Sequence, residues 1–311
     1  MVKSKLRILC FGEAMVELSS LDLSKKITGI GFAGDTLNTA IYLKRVLNEG
    51  AQVDYLTVLG QDLFSNHLTK YIESELVGTH LIRRTDSRNV GLYAINIDSS
   101  GEREFNYWRD RSAARLLFNC EQDFSNLNEY DLIYFSGISL AILPEKIRNK
   151  LFNFLENNVR SFQVAFDSNY RPNLWQNRKL AQLNVKRAFN CCDIALPSLD
   201  DQKRLLNLVT EAEVVGWFNK NQINQTILKR GANGPRLIGK IDENCNFVSK
   251  SRVVDSTAAG DSFNAGFLAA YFSGKSALVS ARHGHELAKV VISYAGAICP
   301  KEEVNGVIKA L

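Results

Sequence analysis

The sequence predicts an α/β protein: a mostly parallel sheet with helices on both faces, plus a small antiparallel β-sheet set into that body. Three observations carry the reading. Short apolar runs recur along the 311 residues, each followed by a stretch with apolar residues at helical spacing, the pattern of βαβ units. Several of those runs close on glycine, at Gly60, Gly137 and Gly231, where a strand hands over to a loop. Two segments, 15–32 and 90–108, break the rhythm, and the second alternates like a hairpin.

In chain order, Arg7 to Gly12 reads as the first strand. Asn38 to Leu47 is helical, with Ile41, Leu43, Val46 and Leu47 as its apolar members. Val53 to Leu59 is a strand and Phe64 to Leu76 a helix. In the hairpin, Val90, Leu92, Ala94, Ile95 and Ile97 lead into a turn at Asp98-Ser99-Ser100-Gly101, and Phe105 and Tyr107 return. Asp131 to Phe135 is a strand, and Pro144 to Asn158 a helix whose proline sits near the first turn. Val164 to Phe166, Ile194 to Leu196 and Gln225 to Lys229 are strands. Asp261 to Phe272 and Glu286 to Ile298 are helices. No linker, repeat or low-complexity run divides the chain, so 1–311 reads as one domain.

Composition excludes several classes. Apolar residues make up 45%, enough for a core without staples, and only 5 prolines beside 20 glycines argue against disorder. The net charge is +5, with no basic run of the kind that binds nucleic acid. Cysteines 10, 120, 191, 192, 245 and 299 form no C-x-x-C pair and read as thiols of a reducing compartment. His283-Gly284-His285 reads as structural, at a helix start. The apolar run Ile8 to Phe11 is too short for a signal peptide and meets Glu13 at once, and no stretch reaches the length of a membrane span. A cytoplasmic protein is expected.

The strongest site signal is 253–267, Val-Val-Asp-Ser-Thr-Ala-Ala-Gly-Asp-Ser-Phe-Asn-Ala-Gly-Phe. Ala258, Ala259 and Gly260 let a backbone approach a ligand, and their N–H groups at a helix start suit an anion. Asp261, in the first helical turn, can take a proton from an attacking hydroxyl while those amides stabilise a transferring phosphoryl group. This segment resembles the C-terminal signature of the PfkB (ribokinase-like) carbohydrate kinases. It matches at Asp255, Ala258, Ala259, Gly260, Asp261, Ala265 and Gly266, with Ser256 where many relatives carry threonine. The resemblance implies that Asp261 is the catalytic base and 258–260 the anion hole.

Four further segments extend the resemblance. Gly31 to Ala40 is similar to the family's N-terminal signature, in the form Gly34-Asp35-Thr36-Leu37-Asn38-Thr39-Ala40 associated with 2-keto-3-deoxygluconate kinases. Asp35 and Asn38 offer an acceptor and a donor for sugar hydroxyls; standing alone they would read as a helix cap. Asp167-Ser168-Asn169-Tyr170-Arg171-Pro172-Asn173-Leu174-Trp175 resembles a motif of the fructokinase and ketodeoxygluconate kinase branches. Arg171 is a fixed cation for a carboxylate or for phosphates, unless it simply pairs with Asp167. Tyr107-Trp108-Arg109 closes the hairpin opposite Tyr93, bringing aromatic faces and a second cation. Leu228 to Gly234 looks like the family's nucleotide loop. One departure stands out: Ser198 and Asp201 occupy the positions of an Asn-x-x-Glu pair that helps organise Mg²⁺ in many relatives.

The resemblance therefore implies a ribokinase-like kinase with a β lid from about 15–32 and 90–108. Its expected reaction is ATP-dependent phosphorylation of the terminal hydroxyl of 2-keto-3-deoxy-D-gluconate. Gly34, Asp35, Asn38, Tyr93, Tyr107, Arg109 and Arg171 would surround the sugar with Asp261. Asn169, Arg171, Ser198, Lys229, Gly231, Gly234, Ala258 and Gly260 would serve the nucleotide. Mg²⁺ would be held through phosphates and water, with Asp201 the protein group to consider, and a monovalent cation fits the same scheme. A homo-oligomer paired through the lid is expected, with no nucleic acid or membrane partner. A kinase for a neutral sugar such as fructose is the first alternative, and a non-catalytic sugar or nucleotide sensor the second.

Overall fold

The computed structural model describes residues 5–19, 29–97, 103–157, 160–239, 243–244, 247 and 253–310. Its strands are β1 (Leu6–Phe11), β2 (Met15–Ser19), β3 (Gly29–Ala33), β4 (Ala51–Leu59), β5 (Ile82–Arg84), β6 (Gly91–Ile97), β7 (Arg103–Trp108), β8 (Leu132–Ser136), β9 (Gln163–Asp167), β10 (Ile194–Ala195), β11 (Gln225–Leu228), β12 (Arg236–Ile238) and β13 (Glu243–Asn244). Among the described residues the larger sheet runs β13-β12-β11-β10-β9-β8-β1-β4-β5. It is parallel from β11 to β5, and β12 and β13 add an antiparallel edge.

Strand order reverses between β1 and β8. From β1 the chain builds outward through β4 and β5; from β8 it builds the other way through β9, β10 and β11. The carboxyl ends of the strands beside such a switch point diverge and leave a crevice, the usual ligand position in open α/β sheets. Alternation along the central strands explains their uninterrupted apolar character. Leu9 and Phe11 face one core with Phe135, Phe166 and Phe189, while Ile8 and Cys10 face the other with Tyr134, Leu268 and Phe267. A strand covered on both faces has no solvent side to spend on polar residues. Each fully buried phenylalanine contributes about 1.5–3 kcal/mol of transfer free energy.

The second sheet is β3-β2-β6-β7. The hairpin is present, with β6 and β7 antiparallel and Tyr93 directly opposite Tyr107. The expectation of a wholly antiparallel sheet is corrected at one pairing: β2 and β6 run parallel. A parallel pair needs a long crossover, and the chain makes one here through the helix Asp35–Leu47, β4 and β5. The turn expected at 98–101, and residues 20–28 of the first lid segment, lie outside the described residues.

One helix is displaced from its expected position. Glu286 to Ile298 is not a helix; Ala277–Val291 is. Ser276 caps it by accepting from Val279 N at 3.3 Å, and Ile292–Ile298 turns back with Gly296 at φ +85°. His283-Gly284-His285 thus sits inside the helix rather than at its start. A Cβ on Gly284 would stand 2.6 Å from Phe263 O, and one on Gly266 2.9 Å from Gly284 Cα. The helices Ala259–Phe272 and Ala277–Val291 therefore pack backbone against backbone, which outweighs the roughly 1 kcal/mol propensity cost of a mid-helix glycine. Cys10, Cys191, Cys192 and Cys299 are buried free thiols and Cys120 is partly buried, while Cys245 lies outside the described residues. No helix among the described residues is long and apolar enough to cross a membrane.

Candidate active site

The crevice is built from the ends of β1, β8, β9 and β11 and the first turns of two helices. Gly34 stands at the N-terminus of helix Asp35–Leu47, where a Cβ would meet Glu13 O at 2.3 Å. Only glycine lets that helix end lie against the turn leaving β1. One turn on, Asn38 donates from Nδ2 to Asp261 Oδ2 at 2.8 Å, and its Oδ1 faces Gly34 N at 3.4 Å. Thr39 Oγ1 donates to the Asp261 carbonyl at 3.3 Å. Helix Asp35–Leu47 and helix Ala259–Phe272 are thereby held end to end across the crevice.

Ala258 introduces the second helix in the left-handed region, at φ +59°. Asp255 ties the loop down by accepting from Thr257 N at 2.9 Å and Gly296 N at 2.6 Å. The expected donor set is corrected in one respect, because Ala259 N is already spent on Ser256 O at 3.2 Å. Among the described residues nothing accepts from the N–H of Gly260 or Asp261. Those two amides and that of Ala258, likewise without an acceptor among the described residues, stand at the positive end of a 14-residue helix and are the donors available to an anion.

Asp261 itself is 8% exposed. Burial pushes its carboxyl up to about 8, the Asp35 and Asp167 carboxylates adding to the rise while the Asn38 hydrogen bond and Lys229 oppose it. Asp35 is raised as well, chiefly by burial, against hydrogen bonds from Ser136, Asn169 and the Thr36 amide. Two carboxyls in one dry crevice resist ionising together, which keeps a proton available near neutral pH.

Behind this pair lies a polar frame. Lys229 Nζ donates to Asp167 Oδ2 at 2.6 Å and to Asn264 Oδ1 at 2.9 Å. Asn264 Nδ2 reaches Asp167 Oδ2 at 2.7 Å and Tyr134 Oη at 2.9 Å. The expected alternative of an Arg171–Asp167 pair is therefore corrected: Asp167 belongs to Lys229, and Arg171 Nη1 reaches Asp201 Oδ1 at 3.3 Å. Arg171 remains half exposed. Asn169, an expected nucleotide residue, donates to Asp35 Oδ2 at 2.7 Å. Ser198 caps the helix Leu199–Leu206 by accepting from Asp201 N at 3.2 Å. Gly231 and Gly234 form the turn after β11 at φ +56° and +70°, where a side chain would be strained.

The small sheet packs beside the crevice, with Met15, Ala33, Tyr93 and Ile95 against Ala258 and Ala297. Tyr93 is buried and donates to Glu17, its ring 5.7 Å from that of half-exposed Tyr107. Arg109 departs from its expected position as an open cation. It is 5% exposed and bound to Glu13, itself fully buried, and its guanidinium carbon lies 5.6 Å from the Tyr107 ring centre. Among the described residues, Glu13 Oε1 and Arg109 Nε have no hydrogen-bond partner. The Tyr107 hydroxyl is raised by burial, against the pull of Arg109 and Arg171 and with a push from Asp35.

The sequence profile of the pfkB family carbohydrate kinases matches residues 5–304. The chain belongs to the pfkB family. Among relatives of this pfkB protein, the 2-dehydro-3-deoxygluconokinase of Escherichia coli K12 is 39% identical over 305 residues, covering 95% of this chain and 98% of that one. The enzyme of the same name from Dickeya dadantii is 39% identical over 306 residues, covering 95% and 97%. A fructokinase from Vibrio cholerae O395, solved with fructose, ADP and calcium ion bound, superposes with a TM-score of 0.82 at 18% identity, covering 97% and 99%. That likeness establishes a shared fold.

Several residues of this pfkB site were not singled out from sequence: Glu13, Thr39, Tyr134, Asp167 as the partner of Lys229, and Asn264. One had a signal. Asn264 follows Asp261 by three positions, so a helix places both on one face. Glu13 and Tyr134 stand in or beside apolar strands, and nothing local marks them.

Proposed function

We propose that this protein transfers the γ-phosphoryl group of ATP to the terminal hydroxyl of 2-keto-3-deoxy-D-gluconate, the sugar named in its relatives as 2-dehydro-3-deoxygluconate. The observation that carries the proposal is the buried Asp261 carboxyl, oriented by Asn38 beside the amides of Gly260 and Asp261, which acts as the base in its ionised form. The hydroxyl oxygen forms a bond to Pγ, the bond from Pγ to the bridging oxygen breaks with its electron pair going to ADP, and the hydroxyl proton passes to Asp261. The amides meet the negative charge that builds on the phosphoryl oxygens. Bound Mg²⁺ would supply charge neutralisation of the phosphates. Asp201 is the carboxylate at that edge of the crevice, and its pairing with Arg171 suits contact through water better than direct ligation.

The half-exposed Arg171 serves as the cation for the substrate carboxylate, and Tyr107 and Tyr93 line the sugar face. The chain acts as one kinase unit with the small sheet as its lid, and a second subunit would pair through the outer face where Ile30 and Trp108 are exposed. One observation favours a neutral sugar as the second reading: Arg109 is already matched by Glu13, which takes away one of two cations. A coupled ADP-release assay across keto-acid sugars and neutral hexoses decides between them. The highest kcat/KM is expected for 2-keto-3-deoxygluconate. A higher value for fructose would establish the second reading, and no ADP release with any sugar would leave a sensor.

A further inference from the structure

Lys229 occupies a position that a nucleotide loop alone does not explain. It follows β11 directly, and its backbone is fixed on both sides: its N–H donates to Pro197 O at 2.8 Å and its carbonyl accepts from Leu199 N at 2.8 Å. From that anchor the side chain runs inward under the start of helix Ala259–Phe272. A Cβ placed on Gly260 would lie 3.5 Å from Lys229 Nζ. The ammonium therefore lies beside Gly260, whose amide is one of those available to an anion.

Its surroundings are built from three elements. Asp167 comes from the end of β9 and Asn264 from the helix, and both take hydrogen bonds from Nζ. Asn264 is itself fixed by Tyr134 of β8. Side-chain exposure is 10% for Lys229 and 5% for Asp167. An ammonium has three N–H donors; Asp167 and Asn264 take two, and no described residue accepts the third. Stability is a weak reason to bury such a pair, because desolvation offsets most of its attraction. Delivery of a fixed positive charge to the place where phosphoryl charge builds is a stronger one.

We propose that Lys229 is the charge that follows the phosphoryl group: held by Asp167 and Asn264, it donates its remaining N–H to a nonbridging oxygen of the γ-phosphoryl as that group passes from ATP to the sugar. This rests on the kinase reading above. Lys229 keeps its protons throughout; the hydroxyl proton goes to Asp261 and the bond-breaking electron pair to ADP. Asp167 and Asn264 are positioning residues that aim Nζ.

The test uses the full chain with ATP, Mg²⁺ and 2-keto-3-deoxygluconate. Lys229→Met should lower kcat by about 10²–10³, the scale seen when one donor to a developing oxyanion is removed, with KM for the sugar within about threefold. In Lys229→Ala, added ethylammonium should restore part of kcat, which a merely structural lysine would not show. Calorimetry should find ADP affinity little changed in Lys229→Met, while the extra thermal stabilisation of ADP plus sugar by aluminium fluoride, a phosphoryl mimic, is lost. If Lys229→Met does not fold because Asp167 is left charged and buried, Asp167→Asn combined with Lys229→Met gives the same comparison with a neutral partner. A kcat within threefold of wild type in either variant overturns the proposal. So does a loss confined to ADP and ATP affinity. Failure of the wild-type chain to release ADP with every sugar overturns the kinase reading itself, and this inference with it.

Discussion

The floor and the roof of the crevice are assembled on different principles. In the floor, Asp261, Asn38, Thr39, Asn264, Asp167 and Lys229 form hydrogen bonds that link two helices to the ends of two strands. The roof depends on aromatic surface. Tyr93, Phe105 and Tyr107 lie with ring centres 5.7 to 6.4 Å apart, and Phe105 and Tyr107 still expose much of their area. Arg109 and Glu13 pair at the base of the sheet, and Glu17 accepts from Tyr93 within it. Fixed dipoles suit a reaction whose charge always builds in the same place, whereas stacking surfaces suit recognition of a sugar. Substitutions in the floor should therefore act on turnover, and substitutions in the roof on substrate choice and stability.

The largest effect is expected at the floor. Asp261→Asn should lower kcat at least about a hundredfold, the usual scale for losing a general base, with ADP affinity retained in calorimetry. The same variant should report on stability. A carboxyl raised in the folded state stays protonated while the unfolded chain ionises from its ordinary value near 3.8 upward, so stability falls as pH rises between that value and about 8. Asp261→Asn should accordingly melt above wild type at pH 8, and the difference should vanish below pH 4. Because the base must be ionised to accept a proton, kcat/KM should rise with pH along a limb well above the ordinary carboxylate range. A limb near pH 4 would contradict the burial argument.

Next in size is Arg109→Ala in the roof. It leaves Glu13 as a buried carboxylate without its cation, a change that costs about 3–5 kcal/mol. The melting temperature should drop by several degrees, and activity should fall by a similar factor on acidic and neutral sugars. Restored stability in Arg109→Met combined with Glu13→Gln would tie the loss to the unpaired charge. Arg171→Ala sharpens the contrast, since this cation is half exposed and loosely held. One charged hydrogen bond of about 1.5–3 kcal/mol corresponds to a ten- to hundredfold loss in kcat/KM for 2-keto-3-deoxygluconate, with little change for a neutral hexose. An equal loss on both classes would take the carboxylate contact away from Arg171.

The smallest effect concerns motion. Amide exchange at 91–97 and 103–108 should slow when sugar binds, since exposed aromatic faces gain contacts then. Exchange that stays the same under saturating sugar would argue against a closing roof.

The sequence carries the central strands most clearly where residues covered on both faces form an apolar run, as at Ile8 to Phe11 in β1 and Leu132 to Phe135 in β8. It also marked the anion-binding turn, since Ala258-Ala259-Gly260-Asp261 combines small residues with a carboxylate just where a helix begins. Helices Arg178–Cys191, Leu199–Leu206 and Glu211–Lys220 are not placed from sequence, although Val214, Val215 and Phe218 of the last stand at helical spacing and are buried. Helix Ala277–Val291 was misplaced because the glycine at its centre reads as a break, and only the close approach of helix Ala259–Phe272 shows why it continues. Partner choice was the property furthest from view. Asp167 has Arg171 four residues away and pairs with Lys229, 62 residues away; Arg109 pairs with Glu13 across 96. Such pairings depend on which strand ends become neighbours at the switch point between β1 and β8, and local spacing carries no record of that. Only the tertiary structure fixes that Arg109 is buried against Glu13 while Arg171 stays half exposed beside Asp201.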